Sequence, residues 1–168
     1  MHTRPQANEI ADYYLPYVAY VPDDFLGYLR NSAQEIDAYM QALPEERLTY
    51  AYAEGKWSIA EVLVHIIDAE RVFAYRALRI GRGDSTPLAG FHQDDYVPTS
   101  RANERSKESL IAEFETVRSA TLSLYDQFNE EDLNRIGQAS GYPISPRALG
   151  FIIGGHAAHH LKVLKEKY

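Results

Sequence analysis

Apolar side chains recur at helical spacing in four stretches of this chain, and the segments between them show no such period. In the first stretch Phe25, Leu29, Ile36, Met40 and Leu43 fall on one stripe, which predicts a helix from about Asp23 to Leu43, opened by Pro22 or Asp23 and closed by Pro44. The second begins at Ser58, whose hydroxyl can cap a free backbone N–H while Glu61 reaches back to complete a capping box, and it runs through Arg79 or Ile80 to stop at Gly81. The third, about Ser106 to Phe128, carries Leu110, Phe114, Val117, Thr121, Leu124 and Phe128 on one stripe. The fourth takes Ser145 as N-cap and Pro146 at the first helical position, which suits a residue with no N–H to offer. Its C-terminal end holds Lys162, Lys165 and Lys167, where cations are favoured.

About 25 residues, Gly81 to Arg105, separate the second and third helices without a regular period. A 23-residue helix is roughly 35 Å long, and a connection of this size can return along it, so the third helix is expected to run parallel to the second. The pattern therefore predicts an all-α four-helix bundle with one long crossover between helices two and three. A single short helical turn at Glu130 to Leu133, capped by Asn129, is expected before the fourth helix.

The length of 168 residues fits one domain, residues 1–168, with residues 1–20 as an N-terminal extension. Cysteine is absent, so there is no disulfide framework, no thiolate ligand and no internal nucleophilic thiol; sulfur chemistry must use a thiol brought from outside. Met1 to Tyr20 lacks the features of a secretory signal and no window approaches a membrane span, which places the expected location in the cytoplasm. With 24 acidic against 17 basic side chains the molecule would be repelled by phosphate backbones, so nucleic acid is not an expected partner.

The candidate chemistry lies with histidine. In Gly154-Gly155-His156-Ala157-Ala158-His159-His160, the side chains of His156 and His160 leave one helix face a turn apart and can share an ion. His65, flanked by Val62, Leu63, Ile66 and Ala69, is directed inward from helix two and can supply a third ligand. Three neutral imidazoles leave coordination positions open, as a catalytic ion requires. The bland alternative is a set of hydrogen-bonded core histidines, because neither feature is specific by spacing alone.

His159 points about 100° away from His160 on the helical wheel and is assigned outside the ligand set. Asp68 either orients a ligand imidazole through its second nitrogen or is an ordinary partner of Arg71 or Arg76. His92 is expected at the surface or rim of the crossover and His2 in a disordered tail. Gly154 and Gly155 each cost about 1 kcal/mol inside a helix, and close packing is favoured over room for a ligand as their reason. Trp57 is read as a staple or core anchor. The Tyr13, Tyr14, Tyr17 and Tyr20 series is assigned to half-buried faces or a dimer surface. Serine-nucleophile, phosphate-loop, dinucleotide and H-E-x-x-H patterns are all missing.

The run Lys56-Trp57-Ser58-Ile59-Ala60-Glu61-Val62-Leu63-Val64-His65-Ile66-Ile67-Asp68-Ala69-Glu70-Arg71, followed downstream by Gly155-His156-Ala157-Ala158-His159-His160-Leu161, resembles the DinB-like (DinB/YfiT) superfamily. The Gly90-Phe91 element with Asp94 or Asp95, and Arg118 spaced from Leu124, extend the match over nearly the whole chain. The resemblance implies an up-down-down-up bundle, commonly a homodimer, with Ni²⁺ or Zn²⁺ on positions that here are His65, His156 and His160; Fe²⁺ and Cu²⁺ are also compatible with three imidazoles. It further implies thiol-dependent enzymes, among them bacillithiol S-transferases and mycothiol-dependent maleylpyruvate isomerases. The leading expectation is thus a metal-dependent transferase that joins an external low-molecular-weight thiol to an electrophilic small molecule. The alternatives are a metal-dependent hydrolase or isomerase and a non-catalytic metal-binding stress-response protein. The sequence assigns no further catalytic residue.

Overall fold

A computed structural model of the chain describes residues 4–168; His2 lies outside the described residues. Four long helices form the bundle: α1 (Phe25–Ala42), α2 (Ile59–Gly81), α3 (Lys107–Tyr125) and α4 (Pro146–Lys167). Each opens on a side-chain cap. Asp24 accepts from the Gly27 N–H, Ser58 and Glu61 form a reciprocal box, Ser106 accepts from Ser109 and Ser145 from Ala148. The start of α1 falls a residue beyond the expected cap because Asp24, and not Pro22 or Asp23, reaches the free N–H. Helix α3 ends three residues earlier than its stripe predicts. There the chain turns so that the Phe128 ring seats against Gly81, where a Cβ would come within 2.7 Å of it.

Cross-helix contacts fix the directions. The start of α2 meets the start of α3 through Ser58 and Asn103, their middles meet through Arg71 and Glu113, and their ends through Gly81 and Phe128, so the two run parallel. Tyr168, at the end of α4, donates to the Trp57 carbonyl at the start of α2, so α4 runs against α2. Lys107, opening α3, donates to the Gln41 and Leu43 carbonyls at the end of α1. Up-down-down-up follows, and the crossover from 82 to 106 makes it possible.

That crossover contains the short helix Gln93–Tyr96 and two single turns, Val97–Thr99 and Ala102–Glu104. Before α4 comes the expected turn, Glu130–Asn134, boxed by Asn129 and Asp132. The hairpin that follows, β1 (Gly137–Ala139) against β2 (Tyr142–Ile144), is not predicted by the helical periodicity. Its two-residue turn is Ser140-Gly141, both with positive φ (53° and 84°), the geometry whose twist suits paired strands.

The interior divides into two apolar clusters. One centres on Phe25, Leu29, Phe73, Tyr125, Phe151 and Ile152, the other on Ile36, Met40, Ile59, Leu63, Leu110 and Phe114. Between them the helices bury polar groups: Ser32 on α1, Glu70 on α2, Arg118 and Thr121 on α3, His156 on α4. Arg118 is met bidentately by Glu70 at 2.8 and 2.9 Å and donates to the Leu29 carbonyl at 2.9 Å, so this charge is fully answered by the protein. No helix among the described residues is long and apolar enough to cross a membrane.

Candidate metal centre

Helix α2 carries His65 two turns inside its N-terminus, and α4 runs antiparallel across it with His156 and His160 on the facing side. The ring centroids are 4.7 Å apart for His65 and His156, 4.8 Å for His65 and His160, and 4.5 Å for His156 and His160. One ligand nitrogen from each ring lies within 4.8 Å of the other two, and the Nε2 atoms of His65 and His156 are 2.9 Å apart. A tetrahedral ion bound at 2.0–2.1 Å holds its donors about 3.4 Å apart, a value these spacings bracket.

The electrostatics suit a cation. Burial lowers His65 to about 4, with Asp94 opposing slightly, and lowers His160 to about 3. His156 is pushed well below its ordinary value by burial first and by the neighbouring histidines second. All three rings are therefore neutral near pH 7 and offer lone pairs rather than charge. Among the described residues the 2.9 Å contact between His65 and His156 is the one hydrogen bond these three rings make. The donor set, three neutral nitrogens without a carboxylate or thiolate, fits a borderline divalent ion with open positions.

The other residues singled out in the sequence fall around this cluster. His159 turns to the opposite flank, its ring 5.6 Å from Tyr17 and 6.2 Å from Tyr20. Asp68 pairs with Arg71 at 3.5 Å, and burial raises its carboxyl. It lines the same small recess as His65, together with Phe91, Gln93 and Tyr96. Trp57 packs against the second apolar cluster and lays its ring 4.9 Å from His65, so the staple is also a wall of the site. His92 is exposed at the rim.

The glycines of α4 are there for packing. A Cβ on Gly155 would collide with the backbone of Tyr17, and one on Gly154 would crowd Tyr28 and Val21 at 3.2 Å. The short helix Leu15–Val18 is thus laid directly on α4, and this brings the tyrosines to the site. A cavity of about 440 Å³ lies between that helix and the crossover, with Tyr13, Tyr14, Tyr17, Phe73, Phe91 and Ser140 in its wall and His156 at its floor. Sequence reasoning missed this wall. The spacing of Tyr13, Tyr14 and Tyr17 marks a helical face, but nothing local says what that face covers.

A protein of Oceanobacillus iheyensis provisionally named a metal-dependent hydrolase is 25% identical over 145 residues, covering 84% of this chain and 82% of its own. Among solved structures, YfiT from Bacillus subtilis, described as a probable metal-dependent hydrolase with an unusual four-helix bundle topology, superposes with a TM-score of 0.78 at 11% identity, over 98% of this chain and 91% of that one. A mycothiol-dependent maleylpyruvate isomerase superposes with a TM-score of 0.68 at 10% identity, over 86% of this chain and 61% of its own. At these identities the two structures share the fold. The sequence model of the DinB superfamily matches residues 28–164, from the second turn of α1 to the last turn of α4, and the chain belongs to that superfamily.

Proposed function

We propose that this chain is a metal-dependent enzyme in which His65, His156 and His160 hold one divalent ion, Ni²⁺ or Zn²⁺ before Fe²⁺, at the floor of the tyrosine-lined cavity. The observation that carries the reading is the convergence of three neutral imidazoles, His65 and His156 buried and His160 half-buried, one nitrogen of each within 4.8 Å of the others, with His156 opening on a cavity of small-molecule size. When bound, such an ion lowers the pKa of a water or thiol at its open position. The chain's own residues hold the three donor rings deprotonated by burial, exclude bulk water with Trp57 and Phe73, and wall the reactant with Tyr14 and Tyr17. Burial raises the phenols of Tyr14 and Tyr17, so both are protonated and able to donate.

The finer proposal is transfer of an external low-molecular-weight thiol to an electrophile. The absence of cysteine supports it, as does the fold shared with a mycothiol-dependent enzyme. With bacillithiol and a chloro-dinitro-arene, a carbon–sulfur bond forms, chloride leaves and the thiol proton passes to solvent. We expect turnover above that of the chelator-treated protein; an equal rate would remove the transferase reading. Hydrolysis is the second reading, favoured by the name of the O. iheyensis relative, and turnover without thiol would select it. Elemental analysis of the purified protein beside a His156→Ala/His160→Ala variant tests the ion itself: about one equivalent in the first and none in the second. The expected homodimer and cytoplasmic location belong to the same proposal, the first read by light scattering and the second by fractionation.

A further inference from the structure

Arg76 of α2 is 2% exposed, and no carboxylate among the described residues pairs with it. The other two buried arginines are answered, Arg118 by Glu70 and Arg147 by Glu9. Arg76 instead donates from Nη2 to the Ala89 carbonyl at 2.8 Å and to the Ser140 hydroxyl at 3.1 Å, and its guanidinium carbon lies 5.5 Å from the centre of the Phe91 ring. It also acts on the Tyr14 phenol, where its charge works against the upward push of burial and of Tyr13. Neutral oxygens and an aromatic face compensate a buried positive charge only in part, and leave it able to act on an anion. Tying the crossover to the hairpin needs N–H donors and makes no use of that charge.

Arg76 is not itself in the wall of the cavity, but groups it touches are. Ser140 and Tyr14 both line it, as do Gly90 and Phe91. Ser140 is held in the left-handed region (φ 53°) by the hairpin turn, and its N–H donates to the Leu88 carbonyl. Because its Oγ accepts from Arg76, its own proton is free to point into the cavity. His156 also lines it, separated from Tyr14 by the Phe73 ring, which lies 6.0 Å from each, and Tyr17 and Phe91 complete the aromatic wall. The charged group on the wall, Asp94, is exposed at the rim and acts toward His65, where solvent screens it.

We propose that the Ser140 and Tyr14 end of the cavity is an anion subsite, charged from behind by Arg76, which anchors the carboxylate of a small acid and lays its apolar body between the aromatic walls toward His156. The proposal deepens the reading of the histidine cluster as a metal centre and rests on it for the direction of the substrate, not for the binding of the anion. Arg76 is on this account a positioning residue that acts through two hydroxyls.

Benzoate and benzamide, equal in shape and different in charge, are the probes. Titrated into the purified protein, benzoate is expected to bind at least tenfold more tightly, with the amide resonances of Gly90, Phe91 and Ser140 shifting. Arg76→Lys should keep most of the preference, and Arg76→Met should bring the two probes within about twofold of each other. Equal binding by the unaltered protein, a preference that survives in Arg76→Met, or shifts grouped elsewhere would overturn the subsite, and the first and last of these need no variant to fold. Repeating the titration after chelation separates the two readings. A preference that persists belongs to the subsite whatever the metal analysis gives, whereas one that vanishes marks benzoate as a ligand of the ion and refutes the subsite while supporting the metal centre.

Discussion

Arg118 and the histidine cluster both lie within the bundle, with Arg118, His65 and His156 buried and His160 half-buried, yet the protein treats them differently. Arg118 spends its N–H groups on Glu70, Leu29 and Ser32, with the Phe114 ring 5.2 Å away. Its charge is met by a carboxylate at both oxygens. The imidazoles share a single nitrogen–nitrogen contact, their ligand nitrogens lie within 4.8 Å of one another, and His156 lines the cavity. Burial in the first case accompanies completed pairing; in the second it strips charge from rings whose lone pairs stay unused. Buried polarity by itself does not mark a site. Polar groups that converge on one point with donor atoms to spare do.

The largest effects should come from breaking the completed pair. Glu70→Ala leaves the Arg118 cation buried without its carboxylate, and urea unfolding should show a loss of about 3–5 kcal/mol. Replacing both partners with apolar side chains, Glu70→Leu with Arg118→Met, should recover most of it. A single-variant loss under about 1 kcal/mol would mean that solvent reaches this seam and that the contrast with the histidines is false.

The histidine cluster should respond in the opposite sense. In chelator-treated protein His156→Leu is expected to change stability by less than about 1.5 kcal/mol, since a hydrophobic side chain of similar size replaces a neutral ring whose one hydrogen bond is to His65. With the ion at a hundredfold its dissociation constant, the unaltered protein should gain about 2.7 kcal/mol and His156→Leu nothing. Melting curves with and without added metal give both numbers. Equal gain in the two proteins would place the ion elsewhere.

Gly155→Ala tests how the N-terminal segment is joined to the site. Alanine in mid-helix usually stabilises by about 1 kcal/mol over glycine; here the methyl group meets the Tyr17 backbone, and a net loss of about 1–3 kcal/mol is expected. Limited proteolysis should show the chain before Val21 released first. Stabilisation by this substitution would show that the tyrosine segment is not seated on α4 as described.

These contrasts also explain what could be read in the sequence. The four helices were legible because each announces itself twice, by an apolar stripe and by a capping side chain such as Ser58 or Ser145. The histidine cluster was half legible: two of its members share one helical face and the third sits in an apolar stretch, but that spacing suits core histidines equally, and the resemblance to the DinB-like superfamily was what pointed to all three as ligands. The hairpin was missed because three-residue strands are too short to show a period, although Ser140-Gly141 is a turn signal. The cavity was hidden for a different reason. Its wall draws on the N-terminal segment, α2, the crossover and the hairpin, and Arg76 differs from Arg118 only in what the rest of the chain fails to place beside it.

Asp68 sets the finest version of the comparison, because it stands between the two kinds of group. It shares a recess with His65, yet its carboxylate is bonded to Arg71, which also reaches Glu113. A carboxylate that orients a ligand ring normally accepts that ring's second N–H, and its removal weakens metal binding by ten- to a hundredfold. Since the structure spends Asp68 on an arginine that is half exposed, Asp68→Asn should move stability by no more than about 0.5 kcal/mol and leave the metal dissociation constant within tenfold. A larger loss of affinity at unchanged stability would mean that the carboxylate leaves Arg71 for His65 once an ion is bound.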